Sequence, residues 1–506
     1  MLFQRRKSLD LILATAEKRG LKRQLGAFDL TMLGVGAIIG TGIFVLTSVA
    51  AQKAGPGMMY SFVLAAVVCA LTALVYAEIA SMIPVSGSAY TYSYAVLGEL
   101  IAWIVGWALI LEYAVAASAV AVGWSGYING VLAHHGLGLP PSLMVGSFAK
   151  VTMADGSQVT GGFNLLAFLV SLLVTWLLVI GTSKSAKVTA VLVMVKIAAL
   201  TAFVIYAMPE TKAANLVPML PLGWGGVSAA AASIFFAYVG FDAVSTAAEE
   251  TVNPNRNIPI GLIGSLAICT VFYLLVAYAA AGSVGAQPGG PLSQSNEPLA
   301  FVLRTIGHPN IGDAVAAAAS IALPSVVLMM IFGQTRILFT MARDGLMPKA
   351  FAKVHPKYHT PYVVTWITGI VVAVFASQLR VDILADISNA GTLFAFLAVA
   401  LGVMILRVTQ PDRKRSFRTP LVWVVGPLAC IGCIYLFYSL NSTVPMPIGD
   451  GISTQMFFVL WSTIGLIVYF LFSRGRSNLA PGNSPTGSTE KLEPTPLVHE
   501  GPEPAP

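Results

Sequence analysis

The chain has 506 residues, of which 56% are hydrophobic and only 10% charged, and its mean hydropathy is +0.79. Soluble domains carry about a quarter charged residues, so this composition excludes a water-soluble globule and places the excess apolar surface against lipid. The net charge of +7 is explained by membrane sidedness and is not taken as a nucleic-acid footprint.

The N-terminal segment, 1–27, is basic, with Arg5, Arg6, Lys7, Lys18, Arg19, Lys22 and Arg23. It shows no short apolar run ending in small residues, so no cleavable signal peptide is expected. A helix crosses the hydrocarbon with roughly 20 apolar residues. Apolar stretches between Gly, Pro and polar breaks predict twelve such spans: 28–51, 57–83, 97–130, 162–181, 187–208, 223–247, 258–283, 312–342, 361–378, 383–407, 420–440 and 453–473. Backbone groups in lipid must be paired within the segment, so these spans are expected as helices. A membrane β-barrel would show short alternating strands instead. The expected class is an all-α polytopic membrane protein, with a disordered tail at 477–506 that is rich in Pro, Gly, Ser and Glu.

Charge placement orients the spans. With the N-terminus inside, 22 Lys/Arg fall on the inner side and five on the outer: Lys53, Lys150, Lys212, Arg304 and Arg380. The other two, Lys196 and Arg336, fall inside spans. This asymmetry puts both termini in the cytoplasm of a multi-pass protein of the cell (inner) membrane. Cys69, Cys269, Cys430 and Cys433 all lie in apolar stretches. The Cys-x-x-Cys at 430–433 has no partner histidines or second pair, and is read as packing rather than as a redox or metal site.

The first span carries Gly34, Gly36, Gly40 and Gly42 within nine residues. Such a run either opens the backbone toward a cavity or packs closely on another helix, and taken alone it leaves both readings open. In the sixth span, residues 235–242 read Phe-Phe-Ala-Tyr-Val-Gly-Phe-Asp, placing aromatics, a glycine and an acid at mid-depth. Spans 1 and 6 correspond if five helices repeat twice in opposite orientation. Interrupted segments at matching positions point to a transporter's binding site. Half-helix N-termini offer N–H groups to an anion and the opposite ends offer carbonyls to a cation. A zwitterionic amino acid presents one of each.

Gly-Ala-Ile-Ile-Gly-Thr-Gly-Ile-Phe (36–44), Pro-Val-Ser-Gly-Ser-Ala-Tyr (84–90) and Gly-Phe-Asp-Ala-Val-Ser-Thr-Ala-Ala-Glu-Glu (240–250) resemble the amino acid–polyamine–organocation superfamily. Together with Gly-Gln-Thr-Arg (333–336) and Arg-Asp-Gly-Leu-Met-Pro (343–348), they are most similar to the bacterial form of its cationic amino acid transporter family, over residues 24 to 473. The resemblance implies a five-plus-five inverted repeat, here 28–208 and 223–407, with two further helices at 420–473, and transport by alternating access. It further implies that the substrate carboxylate meets the backbone of Gly40, Thr41 and Gly42, and that the amino group meets carbonyls around Ile38, Phe236, Ala237 and Val239. Phe236 then closes over the substrate as a gate, and Met330 lies on the pocket floor. The chain departs from animal members in having twelve spans rather than fourteen, and in Pro324, which is expected to alter span 8 locally.

Glu112, Lys196 and Asp242 are ionisable residues near mid-span. Centre-membrane charges cost about 2.5–3.5 kcal/mol on insertion scales and are functional candidates by default. Lys196 is the expected proton-coupling group, with a structural lysine as its alternative. Asp242 has three readings: a proton carrier, an attractor of a cationic side chain, or an anchor of the broken helix. Glu112 is either its relay or a structural partner. Glu78, Glu249 and Glu250 are expected to pair with Arg336 or Arg343.

Nothing in the sequence supports an enzyme. The six histidines lie in predicted loops or the tail, and no phosphate-binding Gly-rich loop is followed by Lys-Ser/Thr. The expectation is proton-coupled import of L-amino acids with cationic or small neutral side chains. No cofactor is expected beyond the proton, no metal and no nucleic acid. A small membrane subunit is left open, and an obligate exchanger, a non-transporting sensor and a channel are the competitors.

Overall fold

The structure is a computed structural model that describes residues 5–7, 24–83, 88–152, 158–181, 186–247, 251–358, 360–445 and 451–480. Residues 84–87 of the second motif, Glu249, Glu250 and the tail beyond Ala480 lie outside the described residues.

Among the described residues the chain is almost entirely helical. Seven helical runs are long and apolar enough to cross a membrane, and four shorter apolar helices accompany them. In chain order the main helices are α1 (Ala27–Ile38), α2 (Thr41–Phe44), α3 (Leu46–Ala54), α4 (Met58–Met82), α5 (Ser88–Val96), α6 (Glu99–His134), α7 (Leu165–Val179) and α8 (Ala186–Ala207). They continue with α9 (Gly223–Ile234), α10 (Ala243–Thr246), α11 (Pro254–Val284), α12 (Pro309–Arg343), α13 (Tyr362–Gln378), α14 (Val381–Thr409), α15 (Val422–Ser439) and α16 (Thr454–Val468). The run from Leu46 to Met82 is broken at Gly55, whose φ of 65° suits glycine. Two short antiparallel hairpins, Lys150–Thr152 with Gln158–Thr160 and Thr443–Val444 with Ile452–Ser453, sit between helices.

Small residues set which helices meet, because lipid gives apolar helices no hydrophobic reason to associate and close packing must supply it. Among the most extensive pairs are α6 with α12, α4 with α11 and α7 with α13. Two further pairs are α1 with α11 and α9 with α4, and two more are α6 with α14 and α12 with α8. A Cβ on Gly333 would come within 2.7 Å of the Tyr113 ring, and one on Gly34 within 2.5 Å of Ser265 Oγ.

α12 runs unbroken through Pro324. Proline has no N–H, so the Ser320 carbonyl one turn back loses its helical donor. Trp124 Nε1–H of α6 donates to that carbonyl at 2.7 Å. The proline therefore turns a lost helical bond into a helix–helix bond instead of reshaping the helix.

At one end of the bundle, both ends of the described chain pack on the start of α6 and the end of α12. Arg5 and Tyr94 reach the buried Glu99 carboxylate, as do the Tyr469 and Ser477 hydroxyls. Lys7 and Tyr90 reach Asp344. Ser477, expected to open the disordered tail, is fully buried, so the packed chain continues to Ala480. Glu78 does not take the expected Arg336 or Arg343. It pairs with Arg407 through two bonds of 2.7 Å and lies 3.2 Å from Arg415, because α14 and not α12 ends beside it. His134, expected in a loop, is the last residue of α6 and lies 3.4 Å from Asp313.

Candidate functional site

The first span breaks where its glycines cluster. α1 stops at Ile38, Ile39 and Gly40 take extended backbone angles, and the helix restarts at Thr41. The sixth span breaks in step: α9 ends at Ile234, a tight turn covers Phe235–Tyr238, Gly240 has φ of 116°, and α10 begins at Ala243. The two broken stretches touch. A Cβ on Gly42 would lie 2.2 Å from Ala237 Cα, and one on Gly240 would lie 2.9 Å from the Ala37 carbonyl oxygen. The glycine run thus serves both readings at once, since it leaves the helix and also permits backbone-to-backbone approach.

Between the breaks lies a cavity lined by Ala37, Ile38, Gly40, Thr41, Gly42, Val120, Phe236, Val239, Val326 and Met330. It is tight, about 10 Å³, enough for about one water molecule. Ile38, Gly40, Thr41, Gly42, Phe236, Val239 and Met330 were singled out in the sequence, and Ala237 sits behind them against Gly42. Sequence reasoning missed Ala37 near the end of α1, Val120 of α6 and Val326 of α12. Val326 precedes Met330 by four residues and so shares its helix face, a signal that was available.

Breaking a helix strands polar groups. The last carbonyls of α1 and α9 and the first N–H groups of α2 and α10 have no partner within their own helices. The structure answers the carbonyls with side chains from elsewhere. Lys196 of α8 is buried, and its Nζ donates to the Gly36 carbonyl at 3.0 Å. An ammonium at a helix C-terminus also complements the dipole there. Asn389 of α14 donates through Nδ2 to the carbonyls of Ala232 and Ser233 at 2.8 and 2.9 Å. The Tyr273 hydroxyl of α11 lies 2.9 Å from the Ile38 carbonyl and 2.8 Å from that of Ala237, so its one proton is shared between both broken segments. Neither Asn389 nor Tyr273 carries a sequence signal, because each acts through a contact between distant helices.

Glu112 and Asp242 are buried and lie within electrostatic reach of each other and of Tyr113. Neither carboxylate lines the cavity. Glu112 Oε2 has no hydrogen-bond partner among the described residues. Lys53 was expected in an outer loop, but it occupies the last turn of α3 and turns inward. Its Nζ donates to Ser233 at 2.7 Å and to fully buried Asp386 at 3.1 Å. Asp386 also accepts from the Ser233 hydroxyl and from the Ser442 N–H. This network ties α3, α9 and α14 together on the side of the cavity away from Glu78 and Asp344.

The profile of the family described as "Amino acid permease" matches residues 25–472. The chain belongs to the amino acid permease family, within the amino acid–polyamine–organocation superfamily. The permease is 45% identical to the branched-chain amino acid permease BcaP of Bacillus subtilis (strain 168), over 94% of this chain and 99% of that one. It is 42% identical to the methylthioribose transporter of the same organism, over 94% and 98% of the two chains. It is 36% identical to cationic amino acid transporter 9, chloroplastic, of Arabidopsis thaliana, over 84% of the permease and 74% of that chain. These relatives are membrane permeases and transporters, not enzymes, and the permease is likewise a multi-pass membrane protein.

Proposed function

We propose that the permease imports L-amino acids with apolar side chains by proton symport, holding the substrate between the broken first and sixth helices. One observation carries the side-chain class: none of the ten residues lining the cavity is charged. Burying a cationic side chain there would leave its charge unpaired, at a cost of several kcal/mol. Between the cationic and small neutral substrates the sequence left open, this lining favours neutral ones. The naming of the 45% identical relative for branched-chain amino acids is in keeping with that choice. The free N–H groups at the start of α2 suit the carboxylate, and the carbonyls around Ile38 and Phe236 suit the ammonium. The cavity is too tight for an amino acid as it stands, so binding must part its walls, with Phe236 as the side chain best placed to swing.

The fold proposed is twelve membrane helices with a five-plus-five inverted repeat and two added helices. Its support is a pattern in the packing. Exchanging the first five spans for the second five maps the pairs α6–α12, α4–α11 and α7–α13 onto themselves. It also converts α1–α11 into α9–α4 and α6–α14 into α12–α8. The capping side chains obey the same exchange, with Lys196 reaching span 1 from span 5 and Asn389 reaching span 6 from span 10. Charge asymmetry supports a cytoplasmic position for the end holding Glu78, Arg256 and Asp344.

Coupling is assigned to Lys196. Loss of its proton removes the positive charge that complements the C-terminus of α1, and so loosens the half-helix that closes the inner side. Glu112 and Asp242 form the acidic pair through which that proton is exchanged.

The test is uptake of radiolabelled leucine, alanine and arginine into proteoliposomes, with and without an inward proton gradient. Gradient-driven net uptake of leucine or alanine over arginine, lost in Lys196→Ala, is the expected outcome. Preference for arginine would overturn the side-chain class. Uptake that needs preloaded substrate and ignores the gradient would make the permease an exchanger and remove Lys196 from coupling.

A further inference from the structure

α11 begins at Pro254, and its residues Arg256, Ile260, Ile263 and Gly264 follow one another at spacings of four, three and one. They therefore share one helix face. Along that face runs a groove of about 520 Å³, walled by Asn255, Arg256, Pro259, Ile260, Ile263 and Gly264, and by Ser416 and Phe417 of the segment that follows α14. Eight residues of helix give it a length of about 12 Å. Its two ends differ in chemistry. Asn255, Arg256 and Ser416 make the mouth polar, while Ile260, Ile263, Gly264 and Phe417 make the rest apolar. Beyond the groove the same helix face continues as exposed apolar residues, with Ile268, Val271 and Leu275.

Among the described residues the mouth is also cationic. The Arg256 side chain is exposed and makes no hydrogen bond or ion pair among the described residues, and exposed Lys414 and Arg418 lie two residues either side of Ser416 in the chain. Arg415, in the same segment, is by contrast buried and engaged with Glu78 and with backbone carbonyls. Against these cations the 411–420 segment carries one acid, Asp412. The positive dipole end of a 31-residue helix faces the same mouth.

We propose that this groove binds an anionic phospholipid, with the headgroup phosphate against Arg256, Asn255 and Ser416 and one acyl chain along Ile260, Ile263 and Phe417. A free anion would use the mouth but leave the apolar length unfilled. A neutral lipid would fill the length but leave the cations unanswered. Only an amphiphile with a charged head satisfies both. The site needs no assumption about what the permease transports. It has a mechanical consequence, since Gly261 and Gly264 pack directly on Leu30 and Thr31 of α1, so the lipid lies behind the half-helix whose far end Lys196 caps.

The test uses the full-length protein in neutral detergent, with thermal unfolding and native mass spectrometry as paired readouts. Phosphatidylglycerol, phosphatidylcholine and inorganic phosphate are added separately to the unaltered chain, to Arg256→Ala, and to Ile263→Trp, which fills the groove. Both substituted positions are exposed, and Lys212→Ala serves as a control remote in sequence. Expected is a saturable rise in Tm and a retained lipid with phosphatidylglycerol alone. Arg256→Ala weakens apparent affinity about fivefold, the equivalent of one interfacial charge, and Ile263→Trp abolishes retention. Equal effects of phosphatidylcholine, a shift with phosphate alone, or retention unchanged in both groove variants would each overturn the proposal.

Discussion

Gly42 and Tyr273 show how far single residues decide the site. A Cβ at Gly42 would meet backbone, Ala237 Cα at 2.2 Å, and no rotamer change relieves such a contact. Gly42→Ala is therefore expected to force the two broken segments apart. Overpacking costs about 1–3 kcal/mol, and uptake should fall at least about tenfold. Gly225→Ala in α9, where an added Cβ meets nothing within 4 Å, should leave uptake unchanged. The pair of uptake rates separates a steric cause from a general intolerance of alanine. Tyr273→Phe keeps the ring and removes one proton shared by the Ile38 and Ala237 carbonyls. Leaving buried acceptors unsatisfied costs about 1–3 kcal/mol. The expected result is a lower Tm together with an altered KM, because in the proposed binding mode the Ile38 carbonyl also meets the substrate ammonium.

At the scale of elements, the broken helices are ordinary helices whose interrupted ends have been given foreign partners. An isolated half-helix of twelve residues is marginal, and α1 and α9 both have that length. Each is held from outside, by Lys196 through one carbonyl and by Asn389 through two. Asn389→Leu retains volume but strands both carbonyls, so Tm should fall and gradient-driven uptake should drop several-fold. Asn389→Gln reaches the same atoms with a longer arm and should recover part of the loss. If Asn389→Leu transported normally, the shared capping logic of the two halves would fail. The same principle explains Pro324. Its missing N–H costs α12 one bond, and Trp124 restores it from the neighbouring helix.

For the molecule as a whole, the cavity lies between two polar closures. On one side Lys53, Ser233, Asp386 and Ser442 join α3, α9 and α14. On the other, Glu78 with Arg407 and Arg415, and Glu99 and Asp344 with the chain ends, join α4, α6, α12 and α14. In the alternating-access cycle that the family resemblance implies, one closure opens while the other holds, so each must be breakable. Removing one partner of a buried ion pair typically costs 3–5 kcal/mol, whereas replacing both by apolar residues is often neutral. Lys53→Ala is accordingly expected to destabilise by about 3–5 kcal/mol, and the double change Lys53→Met with Asp386→Leu to recover most of that in Tm. The double variant should nonetheless transport slowly, since an apolar seal has no ionic contact to exchange with water as it opens. Recovery of both stability and rate would show that the network is structural only.

Composition alone placed this chain in a membrane, because 10% charged residues cannot cover a globule in water. Clustered glycines at 34–42 and the run at 235–242 located the two breaks, since backbone irregularity is written in local residue types. Motifs identified the family for the same reason. Seven of the ten cavity-lining residues were thereby legible. What the sequence could not supply was every relation between distant residues. Partner choice, as in Glu78 taking Arg407 rather than Arg336 or Arg343, depends on which helices end side by side. Lys53 turning inward, Tyr273 and Asn389 capping broken ends, and Val120 completing the cavity all depend on helix rotation and crossing. Apolar periodicity leaves these undetermined when lipid and protein neighbours are equally apolar, and tertiary packing alone decided them.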